Sequence, residues 1–193
     1  MNRRDAITRV GLLVGGSVIG AEAFLTGCKK SPEQLAAASA EFSPETIAFL
    51  DEVGETILPA SPASPGAKEA KIGEFMKAIV TDCYEEKEQT LFHAGIPKLN
   101  EAGQKKYNKD FMDLAAAEKH DLLVAVDSEM KEYNKNKKEG DPQHYFSLMK
   151  QLTLWGYFTS EPGSTKALRY LPVPGKFEGC IPYKKGDKAW AAT

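Results

Sequence analysis

Gln143-His144-Tyr145-Phe146-Ser147-Leu148-Met149-Lys150-Gln151-Leu152-Thr153-Leu154-Trp155-Gly156-Tyr157-Phe158 is the stretch on which the fold turns. Phe146, Met149, Leu152 and Trp155 recur at helical spacing, which lines one side of an α-helix with apolar groups. A helix over 143–158 is therefore expected, with that face turned inward. Beyond Phe158 the character changes, because Pro162, Gly163, Pro172, Pro174, Gly175, Gly179, Pro182 and Gly186 punctuate a stretch with no sustained period. Prolines lack a backbone donor and glycines resist regular structure, so residues 159–193 read as an irregular tail. Tyr157, Phe158, Tyr170, Phe177, Tyr183 and Trp190 nonetheless carry a large apolar area, since a packed aromatic buries roughly 150 to 250 Å². A tail this aromatic has to lie on something, either this chain's own core or another polypeptide.

Toward the N-terminus the helical period repeats. Lys135 to Gly140 is a solvated charged turn, and Leu114 to Tyr133 before it reads as a helix with Leu122, Leu123, Val126 and Met130 inward. Residues 85–106 carry Phe92, Ile96 and Leu99, with Gly95 and Pro97 as sources of a kink or break. Ile72, Phe75, Met76, Ile79, Val80 and Cys83 share one face of a further helix. Ala60-Ser61-Pro62-Ala63-Ser64-Pro65-Gly66 is a loop, and Pro59 ends the helix that precedes it. That helix opens at Ser43-Pro44-Glu45, with Ser as N-cap, Pro at the first helical position and an acid in the first turn, and continues through Ile47, Leu50, Val53 and Ile57. With no internal repeat and no alternating pattern, residues 43–193 are expected to form an all-α single domain of about five helices, with the aromatic, Pro/Gly-rich tail at its end.

The first residues are of another kind. Arg3 and Arg4 precede a Gly-rich apolar run from Val10 to Phe24, the pattern of an export signal. The run is too short to cross a hydrocarbon core, which takes about 20 predominantly apolar residues. The paired arginines followed by Ile7 resemble a twin-arginine signal, and Leu25-Thr26-Gly27-Cys28 resembles a bacterial lipobox. Residues 1–27 would then be removed and Cys28 acylated, with residues 28–42 as a tether. Each buried methylene contributes about 0.8 kcal/mol, and stable anchoring takes more than one chain. The twin-arginine route carries folded cargo, so the protein would fold, or meet a partner, before export.

Taking away residues 1–27 removes three arginines and two acids, which leaves 22 basic and 25 acidic residues and a net charge of −3. That balance argues against nucleic acid as a partner. Of the three cysteines, Cys28 is committed to lipid, and Cys83 and Cys180 remain as a pair in a compartment that permits disulfides. A bond between them is expected, worth on the order of 4 to 5 kcal/mol for so long a loop. Two free thiols are the alternative, since sequence does not fix their separation.

Chemistry of its own is hard to find in this chain. His93, His120 and His144 stand far apart and never at the i, i+4 spacing of two ligands on one helix face, so surface or helix-end roles are expected. Glu85, Glu86 and Glu88 read as a solvated helix face. There is no Cys-x-x-Cys-His for haem, no cysteine set for an iron–sulfur cluster and no Gly-x-Gly-x-x-Gly for a dinucleotide. No catalytic, cofactor-binding or metal-binding residue is therefore assigned.

Gly156-Tyr157-Phe158-Thr159-Ser160-Glu161-Pro162-Gly163 followed by Tyr170-Leu171-Pro172-Val173-Pro174-Gly175-Lys176-Phe177-Glu178-Gly179-Cys180 resembles the gluconate 2-dehydrogenase subunit 3 family. The resemblance extends upstream through Glu55-Thr56-Ile57-Leu58-Pro59, the Pro/Gly loop, Ile72 to Cys83 and Phe111 to Leu123. It implies a small, non-catalytic subunit of a membrane-associated dehydrogenase on the periplasmic side of a bacterial membrane. In such a complex a glucose–methanol–choline type flavoprotein with FAD oxidises a sugar or sugar acid, and a cytochrome c with haem c takes the electrons. The small subunit would carry the export signal and escort the flavoprotein. Tyr157, Phe158, Tyr170, Phe177 and Trp190 are the expected partner contacts. A free-standing lipoprotein binding module, or an enzyme in its own right, are the competing readings.

Overall fold

The computed structural model describes residues 42–173, 175–176 and 179–191. Arg3, Arg4, Cys28 and Phe177 lie outside the described residues. Five α-helices follow one another: α1 (Pro44–Ile57), α2 (Ile72–Cys83), α3 (Glu86–Tyr107), α4 (Ala116–Asn136) and α5 (Tyr145–Thr159). Short 3₁₀ turns at Ala67–Ala70 and Phe111–Asp113 and a π turn at Gly163–Ala167 join them or follow them. No strand occurs among the described residues, and the all-α expectation holds.

α5 is the hub. Tyr145, Phe146, Leu148, Met149, Leu152, Thr153, Gly156 and Tyr157 are buried, more than one apolar stripe supplies. The surplus is covered from several directions, since α5 packs against α1, α2, α3 and α4 as well as the Ala67–Ala70 turn and the π turn. Leu50 and Val53 of α1, Ile72, Met76 and Val80 of α2, Phe92 and Leu99 of α3, and Leu122, Leu123 and Val126 of α4 complete a continuous core. Fully burying side chains of this size contributes about 1.5 to 3 kcal/mol each.

The helix starts follow local chemistry. Ser43 accepts the amide of Thr46 at 3.2 Å and caps α1, with Pro44 behind it. α2 has no side-chain cap of its own; the Asp51 carboxylate of α1 accepts the Gly73 amide at 2.8 Å instead. That cap requires close approach, and a methyl group at Gly73 would collide with the Ile47 carbonyl oxygen. Burial pushes the Asp51 carboxyl above its ordinary value, against the opposing pull of the Gly73 amide and Lys68. Glu88 reaches back to the Glu85 amide at 3.3 Å, and Glu118 does the same for Ala115 at 2.9 Å. The first is half of a capping box, so the acidic cluster at the start of α3 has a structural use.

Two sequence expectations are corrected along the helices. Pro97 neither ends nor divides α3, which runs unbroken for 22 residues. Pro97 sits on the exposed side of the helix, where its ring meets no packed neighbour. Gly95 lets α5 approach, since an added Cβ would come 2.5 Å from the Tyr145 ring. Cys83, placed on the inward face of α2, is exposed at its last position.

The acids of α1 also build the Pro/Gly loop. Both oxygens of Glu55 are occupied, by the amides of Ala60 and Lys68 at 2.9 Å each, with the carboxylate lying over Gly66 where any side chain would collide. Glu52 pairs with Lys68 at 2.6 Å and with the buried Lys119 of α4 at 2.8 Å, and these hydrogen bonds hold its carboxyl below the usual range. The loop is thereby fixed to α1 from one side, and the Tyr157 hydroxyl of α5 donates to the Pro65 carbonyl at 2.6 Å from the other.

α5 begins at a histidine. His144 Nδ1 accepts the Phe146 amide at 3.3 Å, so one of the three histidines is indeed a helix-end residue. Its ring is buried against Tyr133 and Tyr145, with Glu129 of α4 3.9 Å from Nε2 and the Lys98 ammonium of α3 over the Tyr145 ring. Burial lowers the His144 pKa below 6.5, Glu129 acting against it and Lys98 with it.

Gly73→Ala is expected to cost about 1 to 3 kcal/mol, read as a lowered denaturation midpoint, because backbone cannot yield as a side chain can. A histidine held neutral in the fold contributes stability that is fully present above its unfolded value and lost as pH falls through its folded value. Thermal melts should therefore fall as pH drops from 7 to 5, and His144→Asn, which keeps a cap acceptor, should flatten that part of the profile.

Candidate protein-docking surface

The C-terminal half of α5 shows what the packing leaves over. Leu154, Trp155 and Phe158 lie three and four residues apart, hence on one side of the helix, and all three are exposed. Trp155, expected to face inward, is 49% exposed, with one edge against the Phe75 ring at 5.4 Å. The reason is room: Gly156 beside it already brings Phe75 into contact with the α5 backbone, so the indole is displaced to the rim.

The tail continues this surface. After the π turn the chain leaves at Arg169 and returns at Ala189–Ala191, where Arg169 donates to the Ala189 carbonyl at 2.8 Å and Ala191 donates to the Arg169 carbonyl at 2.7 Å. The Arg169 guanidinium lies 4.7 Å from the centre of the Trp190 ring, and Ala191 is buried. The neck is braced against the Pro/Gly region by Lys166 to Glu69 at 2.9 Å and by Lys188, which reaches the carbonyls of Ala63 and Lys166. Between the two ends the described residues of 170–188 are exposed. They present Tyr170, Leu171, Val173, Ile181 and Tyr183, the last 73% exposed. Phe158, Glu161, Thr165, Tyr170 and Ala191 line a cleft of about 370 Å³ where the ridge of α5 meets the loop.

Of the expected partner contacts, Phe158, Tyr170 and Trp190 are at the surface. Phe158 and Tyr170 share the cleft, and Trp190 marks the neck. Tyr157 is corrected: it is 3% exposed and belongs to the core. Leu154, Trp155, Leu171, Val173, Ile181 and Tyr183 were not singled out as contacts. The signal for the first two was present, because a helix with Leu152, Leu154, Trp155, Tyr157 and Phe158 within two turns is apolar on more than one face.

The expected Cys83–Cys180 bond is also corrected: both thiols are free and exposed.

A second concavity, of about 300 Å³, is lined by Thr56, Ile57, His120, Leu123, Asp127 and Phe146 among others. Its acid is committed. Burial pushes the Asp127 carboxyl up, but hydrogen bonds from Lys131 at 2.7 Å and Lys150 at 2.5 Å outweigh burial and hold it below the usual range. No group of metal-ligating side chains occurs among the described residues, and no described helix is long and apolar enough to cross a membrane. The exposed apolar ridge and loop are thus the feature that calls for a function, since contiguous apolar surface on a folded domain marks an interaction site.

Comparison with known proteins adds one match. The family described as Gluconate 2-dehydrogenase subunit 3 matches residues 44–175, from the start of α1 into the tail loop. Neither the curated proteins nor the solved structures yield a match. Cys180 and Trp190 lie past the end of the matched region.

Alkylation of the unreduced, folded protein should label both Cys83 and Cys180, seen as two modified peptides by mass spectrometry; protection of both until reductant is added would restore the disulfide.

Proposed function

This chain belongs to the gluconate 2-dehydrogenase subunit 3 family, and we propose that within the dehydrogenase complex it is the non-catalytic small subunit that holds and escorts a glucose–methanol–choline type flavoprotein. FAD would reside in that larger subunit, with a cytochrome c carrying haem c as a possible further partner. The escort would leave by the twin-arginine route, through Arg3 and Arg4, and stay on the periplasmic side of the membrane by acyl chains on Cys28. A folded pair crossing together gives a reason for a folded-cargo signal on a chain to which no catalytic residue is assigned.

The observation that carries this reading is the uncovered ridge of Leu154, Trp155 and Phe158 joined to the aromatic loop. Nothing else on the described surface gathers as much apolar area; of the twelve large hydrophobic side chains that are exposed, nine lie between Leu154 and Trp190. Aromatic anchors of this kind dominate interface energetics, a few of them supplying most of the affinity. In this reading Trp155 and Phe158 would be the anchors that enter the flavoprotein's surface, with Tyr170 lining the cleft beside Phe158.

The test is co-purification from detergent-solubilised membranes, with the partner identified by mass spectrometry and its flavin by absorbance. The wild type should bring down a flavoprotein and should itself begin at an acylated Cys28. Trp155→Ser with Phe158→Ser should cut recovery by at least about tenfold at an unchanged melting temperature. Tyr157→Phe, which loses only the bond to Pro65, should lower stability by about 1 kcal/mol and leave recovery intact. Undiminished recovery with the ridge variant, or a chain isolated alone from native membranes, would overturn the proposal.

A further inference from the structure

One buried side chain fastens the connection between α4 and α5. Residues 137–143 are all exposed, and His144 at their end is buried. Its ring lies between Tyr133 of α4 and Tyr145 of α5, with ring centres 5.6 and 4.5 Å away. The other ties of this segment are few. The Tyr133 hydroxyl donates to the Pro142 carbonyl at 2.9 Å, and the Asn134 side-chain amide reaches the Ser147 hydroxyl at 3.3 Å. The Asp141 carboxylate accepts the Lys138 amide at 2.9 Å, a bond inside the segment that can move with it. His144 is thus a plug that holds an otherwise exposed strap against the helices.

The plug fits only as a neutral imidazole. Nδ1 accepts the Phe146 amide at 3.3 Å, so the ring hydrogen is on Nε2, on the side of Glu129. A further proton has only Nδ1 to occupy, and an N–H there would face the Phe146 N–H with no acceptor between them. The surroundings do little to hold the charge. From α4, Glu129 favours it, but from 3.9 Å and on a side chain that water screens; the Tyr133 hydroxyl is already given to Pro142. From α3, Lys98 stands over the Tyr145 ring and adds a like charge, and Glu101 faces Tyr145. The Tyr145 phenol of α5, pushed up to about 12 by burial, stays uncharged beside it. Other ionic ties of the body outlast this one. Their lysine partners hold the Glu52 and Asp127 carboxyls below the usual range, so both remain charged where an imidazole takes up a proton.

We propose that His144 is an acid-sensitive plug: protonation of its ring expels it from between Tyr133 and Tyr145, breaks the cap on Phe146 and releases residues 137–144 while the helices stay packed. The opening stops within the first turn of α5, because Tyr145, Phe146, Leu148 and Met149 are buried in the core. It is a local event, distinct from a general loss of stability. It occurs at the opposite end of α5 from the exposed ridge, and it does not depend on what docks there.

The experiment follows the full chain between pH 7 and pH 5 by residue-resolved hydrogen exchange, corrected for the intrinsic pH dependence of exchange, and by NMR titration of the His144 ring. Protection at the Phe146 and Ser147 amides should fall by about tenfold or more as the ring titrates, while Leu152 and Thr153 keep theirs. His144→Asn, which retains an acceptor for the cap, should remove the response. Two substitutions of exposed residues read the electrostatics of the plug even if that variant fails to fold. Glu129→Gln should move the midpoint of opening to lower pH and Lys98→Met to higher pH, because the first removes the charge that favours the imidazolium and the second the charge that opposes it. Protection that is unchanged across this range overturns the proposal, as does loss at Leu152 and Thr153 in step with Phe146. A response that survives in His144→Asn, or midpoints that do not separate in those two directions, overturns it as well.

Discussion

Everything in this molecule depends on the need to cover α5. Tyr145, Phe146, Leu148, Met149, Leu152 and Tyr157 make the buried face of α5 broader than a single apolar stripe, and a face that wide is covered only by several neighbours together. Four other helices and the Pro/Gly turn supply the cover, and the order of the elements follows from which side each one closes. The cover runs out near the end of α5. There Phe75 and Tyr157 complete the core on one side, while Leu154, Trp155 and Phe158 remain outside it on the other. The exposed ridge is in this sense the uncovered remainder of the same hydrophobic demand that makes the fold.

The acids of α1 give the covering its geometry. Asp51 caps α2 across the helix boundary, Glu52 ties α1 to the Ala67–Ala70 turn and to α4, and Glu55 fixes the loop between α1 and α2. Three neighbouring carboxylates in a chain with a redox family name invite a catalytic reading. Their partners argue for architecture, since each carboxylate is directed at a backbone amide or a lysine of this same chain.

Much of this was legible in the sequence, and the exceptions have physical causes. The Ser43 cap, the core positions of α1 and α4 and the count of helices follow from local spacing and capping chemistry, which act within a turn or two. Pro97 lies inside an unbroken α3 because the residues on either side of it, Phe92 and Leu99 among them, are held by tertiary packing that local sequence does not reveal. Trp155 misled because, on a helix whose apolar residues exceed one stripe, periodicity does not say which of them a neighbour will cover. The site divides the same way. The aromatic tail residues were singled out from composition, and Phe158, Tyr170 and Trp190 are exposed, but only the fold shows Tyr157 turned onto Pro65 and the two cysteines unbonded. The reach of Glu55 to amides at the start of the loop and just past its end had no signature except the Glu55–Pro59 string itself.

The neck at Arg169 and Ala189–Ala191 gives the tail a property that a free arm lacks. Its two ends are already joined, so the conformational entropy of closing the loop is lost during folding and not again when a partner arrives. The same closure insulates the helices from the loop's contents. Doubling a closed loop's length costs only about 0.6 kcal/mol, so residues between the fastened ends can lengthen, shorten or change character at little expense to the core. A fold arranged in this way can acquire a new partner by rewriting some twenty residues and leave its five helices as they are.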